Sequence, residues 1–336
     1  MKNKVFIVAE LSANHGNSLE IALKTVEAAA EIGADAIKLQ TYKADTITLD
    51  SENEDFIVSG GTIWDGKSLY ELYEEASLPW EWHIPIFKKA KELGIECFSS
   101  PFDISAVDFL EKIGCSRYKI ASFEITDYPL LKRVAVTKKP VIISTGVSHK
   151  IEIENAIKIL KENGTTDITI LKCTSSYPAP IEEANLEMIK TFKNDFNVKT
   201  GLSDHTEGIV APVVATSFGA TMIEKHFILD KSIGGPDSSF SLDKGEFKEM
   251  IVAVRQAEQA IGNSTYELTE KQIKSRKFMR SLYVSKNIQK GDLFSDDNVK
   301  SVRPSFGLHT MYLDQIIGKK AKMNFKKGDR LTESIL

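Results

Sequence analysis

Two histidines and two lysines stand out by where they fall. His205 lies two residues past the end of the short run 198–203, and His226 lies in the next such run, 221–227. Lys38 and Lys119 lie inside the runs 36–40 and 117–122. A pair of neutral imidazoles suits Mn²⁺, Fe²⁺ or Zn²⁺, with oxygen ligands, water or substrate completing the shell. One such histidine is more often a satisfied core group, but two on neighbouring segments favour a metal site. Glu224, two residues before His226, shares its face and reads as a ligand, a base or an orienting group. A lysine in apolar surroundings is costly unless an anion pairs with it. For Lys119 that anion is either a local carboxylate, Glu124 or Asp127, or a bound phosphate or carboxylate. Hydroxyls at Ser122, Ser144, Thr145, Ser175 and Ser203 favour the bound anion. A Schiff base through Lys119 is the rival chemistry.

These residues need elements to hold them. Short apolar runs at 5–10, 36–40, 96–100, 117–122, 140–145, 168–174, 198–203 and 221–227 predict strands. Helical spacing predicts helices at about 18–32, 81–93, 104–113, 127–137, 150–162, 183–193, 208–218 and 243–261, several of them closed by glycine. Strands alternating with helices make a parallel sheet. Eight units in 1–262 predict an α/β fold, a (β/α)8 TIM barrel, whose active site lies at the carboxyl ends of its strands. Neither a GxGxxG nor a Walker A loop is present, which argues against an open nucleotide-binding sheet. Every expected strand end carries polar or ionisable groups, from Glu10 on the first to His226 on the last.

Three segments depart from the alternation. The second unit has a long insert, 41–80, carrying Trp64, Tyr70, Tyr73 and Trp80, which reads as a lid or specificity loop. Residues 263–279 read as a linker with a short helix. Residues 280–336 read as a small mainly-β module. In it Asn287-Ile288-Gln289-Lys290-Gly291-Asp292 resembles Asn324-Phe325-Lys326-Lys327-Gly328-Asp329, which suggests paired hairpins.

Composition narrows the function classes. Lys+Arg 43 against Asp+Glu 47 gives a net charge of -4, and no basic block occurs, so no nucleic-acid partner is expected. The cysteines, Cys97, Cys115 and Cys173, form no CxxC pair, so a disulfide framework or cysteine-rich zinc site is not expected. No apolar run approaches about 20 residues, and the first ends at Glu10, so no membrane partner is expected either. These readings together predict a cytoplasmic enzyme.

The motifs Ala9-Glu10-Leu11-Ser12-Ala13-Asn14-His15, Lys38-Leu39-Gln40-Thr41, Tyr118-Lys119-Ile120-Ala121-Ser122, Ser144-Thr145-Gly146, Gly201-Leu202-Ser203-Asp204-His205-Thr206, Glu224-Lys225-His226-Phe227 and Gly235-Pro236-Asp237 resemble the sialic acid synthase family. The tail, with Val302-Arg303-Pro304, resembles that family's antifreeze-like (SAF) domain. The insert, with Gly60-Gly61-Thr62-Ile63-Trp64 and Pro79-Trp80-Glu81-Trp82-His83, and Ser12 in place of a usual Gly, resemble the pseudaminic acid synthase branch. The resemblance implies condensation of phosphoenolpyruvate with an acetamido sugar, 2,4-diacetamido-2,4,6-trideoxy-L-altrose in that branch, with C–O cleavage and release of phosphate. Neuraminate and legionaminate synthases are the nearest alternatives. It implies a divalent metal on His205 and His226, Mn²⁺ foremost, with Mg²⁺ or Co²⁺ as alternatives. Lys38, Lys119, Ser122, Ser144, Ser175 and Ser203 become a phosphoenolpyruvate cradle. Glu10, Gln40, Glu124, Tyr177 and Asp237 become sugar contacts, with Glu124 or Glu10 as proton carrier. Arg303 becomes a sugar-binding arginine delivered by the partner's tail in a domain-swapped homodimer, although Ser305 stands where the family has Gly.

Overall fold

The computed structural model describes residues 4–59 and 65–336. The insert residues Gly60-Gly61-Thr62-Ile63-Trp64 lie outside the described residues. The chain divides into two compact units, Met1–Gly262 and Asn263–Leu336.

In the first unit the eight strands are β1 Phe6–Glu10, β2 Ala36–Thr41, β3 Glu96–Pro101, β4 Tyr118–Ile120, β5 Val141–Ser144, β6 Ile168–Cys173, β7 Lys199–Asp204 and β8 Met222–His226. All neighbours are parallel, and β1 closes on β8 into a barrel. Alternate residues of a strand face opposite ways. Ile37 and Leu39 of β2 and Ile223 of β8 therefore enter the apolar layer beneath the helices, while Lys38, Gln40, Glu224 and His226 face the interior. Gly201 is required where β7 meets β8, since a Cβ there would lie 2.3 Å from the Met222 carbonyl oxygen. The register this allows sets Asp204 opposite Lys225 and Ser203 opposite Glu224.

The helices follow the expected positions with one displacement. The helix expected at 183–193 is Met188–Phe196, preceded by a 3₁₀ turn, Ile181–Glu183. Asn185, at φ 49°, takes a left-handed conformation that a continuous helix does not tolerate. The described part of the insert contains regular structure. Its helix Leu69–Ala76 starts from a capping box of Ser68 with Glu71. Tyr70 donates to Asp45 Oδ1 at 2.8 Å, and the Tyr73 ring meets Tyr42 edge-on at 5.8 Å.

The second unit packs Leu282, Val284, Phe294, Val299, Leu308 and Ile316 into a small core beside an antiparallel pair, β9 Ser281–Val284 and β10 Val299–Val302. Its sequence repeat is a structural pairing. Ile288 and Phe325 exchange backbone bonds at 2.9 and 2.8 Å. Asn287 Oδ1 accepts from Lys327 N at 2.8 Å, and Asn324 Oδ1 accepts from Lys290 N at 2.7 Å. Each Asp of the two Lys-Gly-Asp turns accepts a backbone N–H three residues before it.

Candidate active site

A cavity of about 60 Å³ lies at the carboxyl ends of the barrel strands, and all eight contribute to its wall: Glu10, Lys38 and Gln40, Ser100, Lys119, Ser144, Cys173, Ser203, then Glu224 and His226. Its floor is a closed set of charges. Lys38 pairs with Glu10 and stands 3.7 Å from Glu224 Oε1, while Lys119 donates to the same oxygen at 2.5 Å. Ser203 adds a second hydrogen-bond donor to Glu224 at 3.2 Å, and Gln40 donates to Glu10 at 3.1 Å. Lys119 is thus paired across the barrel with Glu224, not with its chain neighbours Glu124 or Asp127. The reason is parity: on β4 and β8 the interior-facing residues are Lys119 and Glu224, whereas Glu124 follows in a 3₁₀ turn, Ser122–Glu124.

The environment sets the charges. Burial alone would lower the Lys38 ammonium, but Glu10 and Glu224 outweigh it and hold its pKa above the ordinary value. At Lys119 burial prevails over Glu224, with Lys38 repelling as well, so that pKa falls. Burial would raise Glu224, but the two ammonium groups overcome it and keep this carboxyl ionised well below the usual range.

The two imidazoles sit at one edge of the cavity with ring centroids 5.3 Å apart. His205 Nδ1 donates to the Thr174 carbonyl at 2.9 Å, which leaves Nε2 as the basic nitrogen. His226 Nδ1 is buried, lacks a close partner and stands 3.5 Å from Asp237 Oδ2. Asp237 also takes the Ala13 amide at 3.4 Å. Burial pushes its carboxyl up, but the nearby His226 imidazole, the Ser12 side chain and the Ala13 amide prevail and hold it low. Tyr177 lies against His205, with ring centroids 4.4 Å apart. Among the described residues, no group of three or more His, Cys, Asp or Glu side chains is arranged to hold a metal ion. The imidazole pair therefore fits a metal only as two ligands of a shell that water or substrate completes.

A second corner gathers groups whose chemistry suits an anion. The Ser144 hydroxyl is buried without a partner. Gly146 N donates to Ser122 Oγ at 3.0 Å, and a Cβ at Gly146 would lie 2.1 Å from Ser175 Oγ. Ser122, Ser144, Ser175 and the Gly146 backbone thus converge. Within the first unit, Ser175, Glu124 and Asp237 lie outside the cavity wall. Glu124 Oε2 is buried and unpartnered, and burial, with Asp127 adding repulsion, pushes its pKa up to about 7. Arg303 is exposed on the second unit. The structure adds Ser100, Cys173 and, through its small side chain, Ala121 to the set expected from sequence. The first two carry polar groups. Both were legible as strand-end residues: Ser100 has the parity of Glu96 and Phe98, and Cys173 closes β6.

The model of the NeuB family matches residues 25–266, and that of the SAF domain matches residues 279–335. A pseudaminic acid synthase of Campylobacter jejuni subsp. jejuni serotype O:23/36 is 54% identical over 331 residues, covering 98% of this chain and 96% of that protein. An N,N'-diacetyllegionaminic acid synthase of Campylobacter jejuni subsp. jejuni serotype O:2 is 36% identical over 334 residues, covering 98% of this chain and 99% of that protein. The crystal structure of an N-acetylneuraminic acid synthetase from Leptospira borgpetersenii serovar Hardjo-bovis, in complex with citrate, superposes with a TM-score of 0.73 at 30% identity over 82% of this chain and 90% of that one.

Proposed function

The chain belongs to the NeuB family, and from that premise we infer that it is a pseudaminic acid synthase, condensing phosphoenolpyruvate with 2,4-diacetamido-2,4,6-trideoxy-L-altrose and releasing phosphate. The observation that carries this is the identity gap: 54% to a pseudaminic acid synthase against 36% to a diacetyllegionaminic acid synthase, each over 98% of the chain.

The chemistry of the cavity suits that reaction. Phosphoenolpyruvate carries two anionic groups, and Lys38 and Lys119 offset their charge, with Ser122, Ser144, Ser175, Ser203 and the Gly146 backbone as oxygen partners. Glu10 and Glu224 neutralise both lysines, so the substrate competes with them. The cavity of about 60 Å³ has room for only a few waters, so side chains shift as phosphoenolpyruvate enters. His205 and His226 would hold the divalent metal, Mn²⁺ first, which would supply Lewis acidity for the sugar's aldehyde. C3 of phosphoenolpyruvate adds to that aldehyde carbon, water adds at C2, and C–O cleavage frees phosphate. Glu124, with a pKa near neutrality, is suited to hold and release the proton at the reacting oxygens. Glu10 is the second candidate for that role. Gln40, Tyr177 and Asp237 orient the sugar.

Arg303 completes the sugar site from the partner's tail in a domain-swapped homodimer.

The deciding experiment measures phosphate release with phosphoenolpyruvate and a panel of sugars. The diacetamido-trideoxy-altrose is expected to give the highest kcat/KM of the panel, at least about tenfold over N-acetylmannosamine, which lacks its second acetamido group, since one extra apolar group discriminates by 10- to 200-fold. Equal or faster turnover of N-acetylmannosamine overturns the assignment. Labelling of Lys119 by borohydride in the presence of substrate would replace it with Schiff-base chemistry.

A further inference from the structure

The motifs that carry His205 and His226 also contain two ionisable residues with no part in the cavity, Asp204 and Lys225. Both are on the outer face of their strands, buried to 3% and 1% exposure. Two residues earlier on that face, Leu202 and Ile223 belong to apolar clusters. A charge pair in such a layer is expensive, and apolar residues of similar volume serve stability equally well. The pair therefore calls for a reason other than stability.

Its bonds supply one. Lys225 Nζ donates to Asp204 Oδ2 at 2.6 Å and also to the carbonyl oxygen of Thr206. Asp204 Oδ1 accepts from Thr206 N at 3.0 Å and from Thr206 Oγ1 at 2.9 Å. His205 is thus bracketed: the residues before and after it are tied to each other and to one ammonium group. That ammonium belongs to the residue between Glu224 and His226, on the strand that pairs with β7. The Thr174 carbonyl then fixes the His205 ring. We propose that the Asp204–Lys225–Thr206 brace is a positioning device that sets the separation and direction of the two imidazoles, so that they grip one cation without a third protein ligand. With only two protein ligands, affinity depends on that preorganisation more than in a site closed by four.

The proposal rests on the metal reading given above, and the experiment separates the two. Mn²⁺ binding to the full-length, metal-stripped enzyme is followed by electron paramagnetic resonance of the free ion, without substrate. The wild type binds; if it does not, the metal reading itself falls, and the brace with it. The apolar double variant Asp204→Leu/Lys225→Met keeps the layer filled without a lone charge. Its thermal midpoint is expected to stay near that of the wild type while the Kd for Mn²⁺ rises about 10- to 100-fold, the range seen when supports of metal ligands are removed. Excess Mn²⁺ should restore turnover, and the KM for phosphoenolpyruvate should not change. A folded double variant that binds Mn²⁺ as the wild type does overturns the proposal. If the double variant does not fold, Asp204→Asn decides by the same titration: weaker Mn²⁺ binding supports the brace, and unchanged binding overturns it.

Discussion

A groove of about 940 Å³ runs along the amino ends of β3 and β4, lined by Ile84, Phe87, Lys88, Lys91, Glu96 and Lys112 among others. The cavity at the carboxyl ends of all eight strands encloses about 60 Å³. The large groove is walled by surface lysines and helix edges whose polar groups reach water. The small one gathers two ammonium groups, two carboxylates, two imidazoles and a ring of hydroxyls, all withdrawn from solvent. Electrostatic interactions strengthen when water is excluded, so convergence and dryness mark the reactive end better than volume does. The same strands build both ends, and the asymmetry of parallel βα units puts the functional loops at only one.

The contrast can be broken or sharpened by substitution. At the reactive end, Gly146→Ala would set a methyl 2.1 Å from Ser175 Oγ and 3.0 Å from Ser122 Oγ. Displacing that corner by about 1 Å should lower kcat/KM about 100-fold in steady-state assays. An unaffected Gly146→Ala enzyme would remove the serine corner from the site.

A smaller effect is expected at Glu124, through pH. Its folded-state pKa is raised to about 7, so its proton is bound more tightly folded than unfolded. The stability it contributes is fully present below about pH 4.5 and is lost as pH rises through 7. Thermal midpoints of the wild type should therefore fall between pH 5 and 8 relative to Glu124→Gln, whose curve should be flatter. Parallel curves would mean that this carboxyl is not desolvated. At the groove, Lys88→Ala should change kcat/KM by less than about twofold, as exposed charges far from a site do. A larger loss would show that the amino end takes part in function.

Several features of this molecule were legible before its fold was known. All eight barrel strands follow from short apolar runs, because residues buried on the helix-facing side leave that pattern in the chain. The Asn287 and Asn324 repeat was visible as well, because each half needs the same turn residues. The helix at Met188–Phe196 was misplaced by several residues because Asn185 in a left-handed conformation leaves little trace in local composition. The short helix within the insert was missed because a capping box in a polar segment is a weak signal.

The chain itself determined which chemical groups stand at the strand ends, since local pattern fixes where each strand stops and parity fixes which side chains face inward. Partnership was decided only in three dimensions. Lys119 meets Glu224 105 residues away, and Lys225 meets Asp204 across a strand register that Gly201 permits. Barrel closure brings β1 against β8 and selects one carboxylate over nearer ones in sequence, because short-range ionic bonding depends on distance in space and not along the chain.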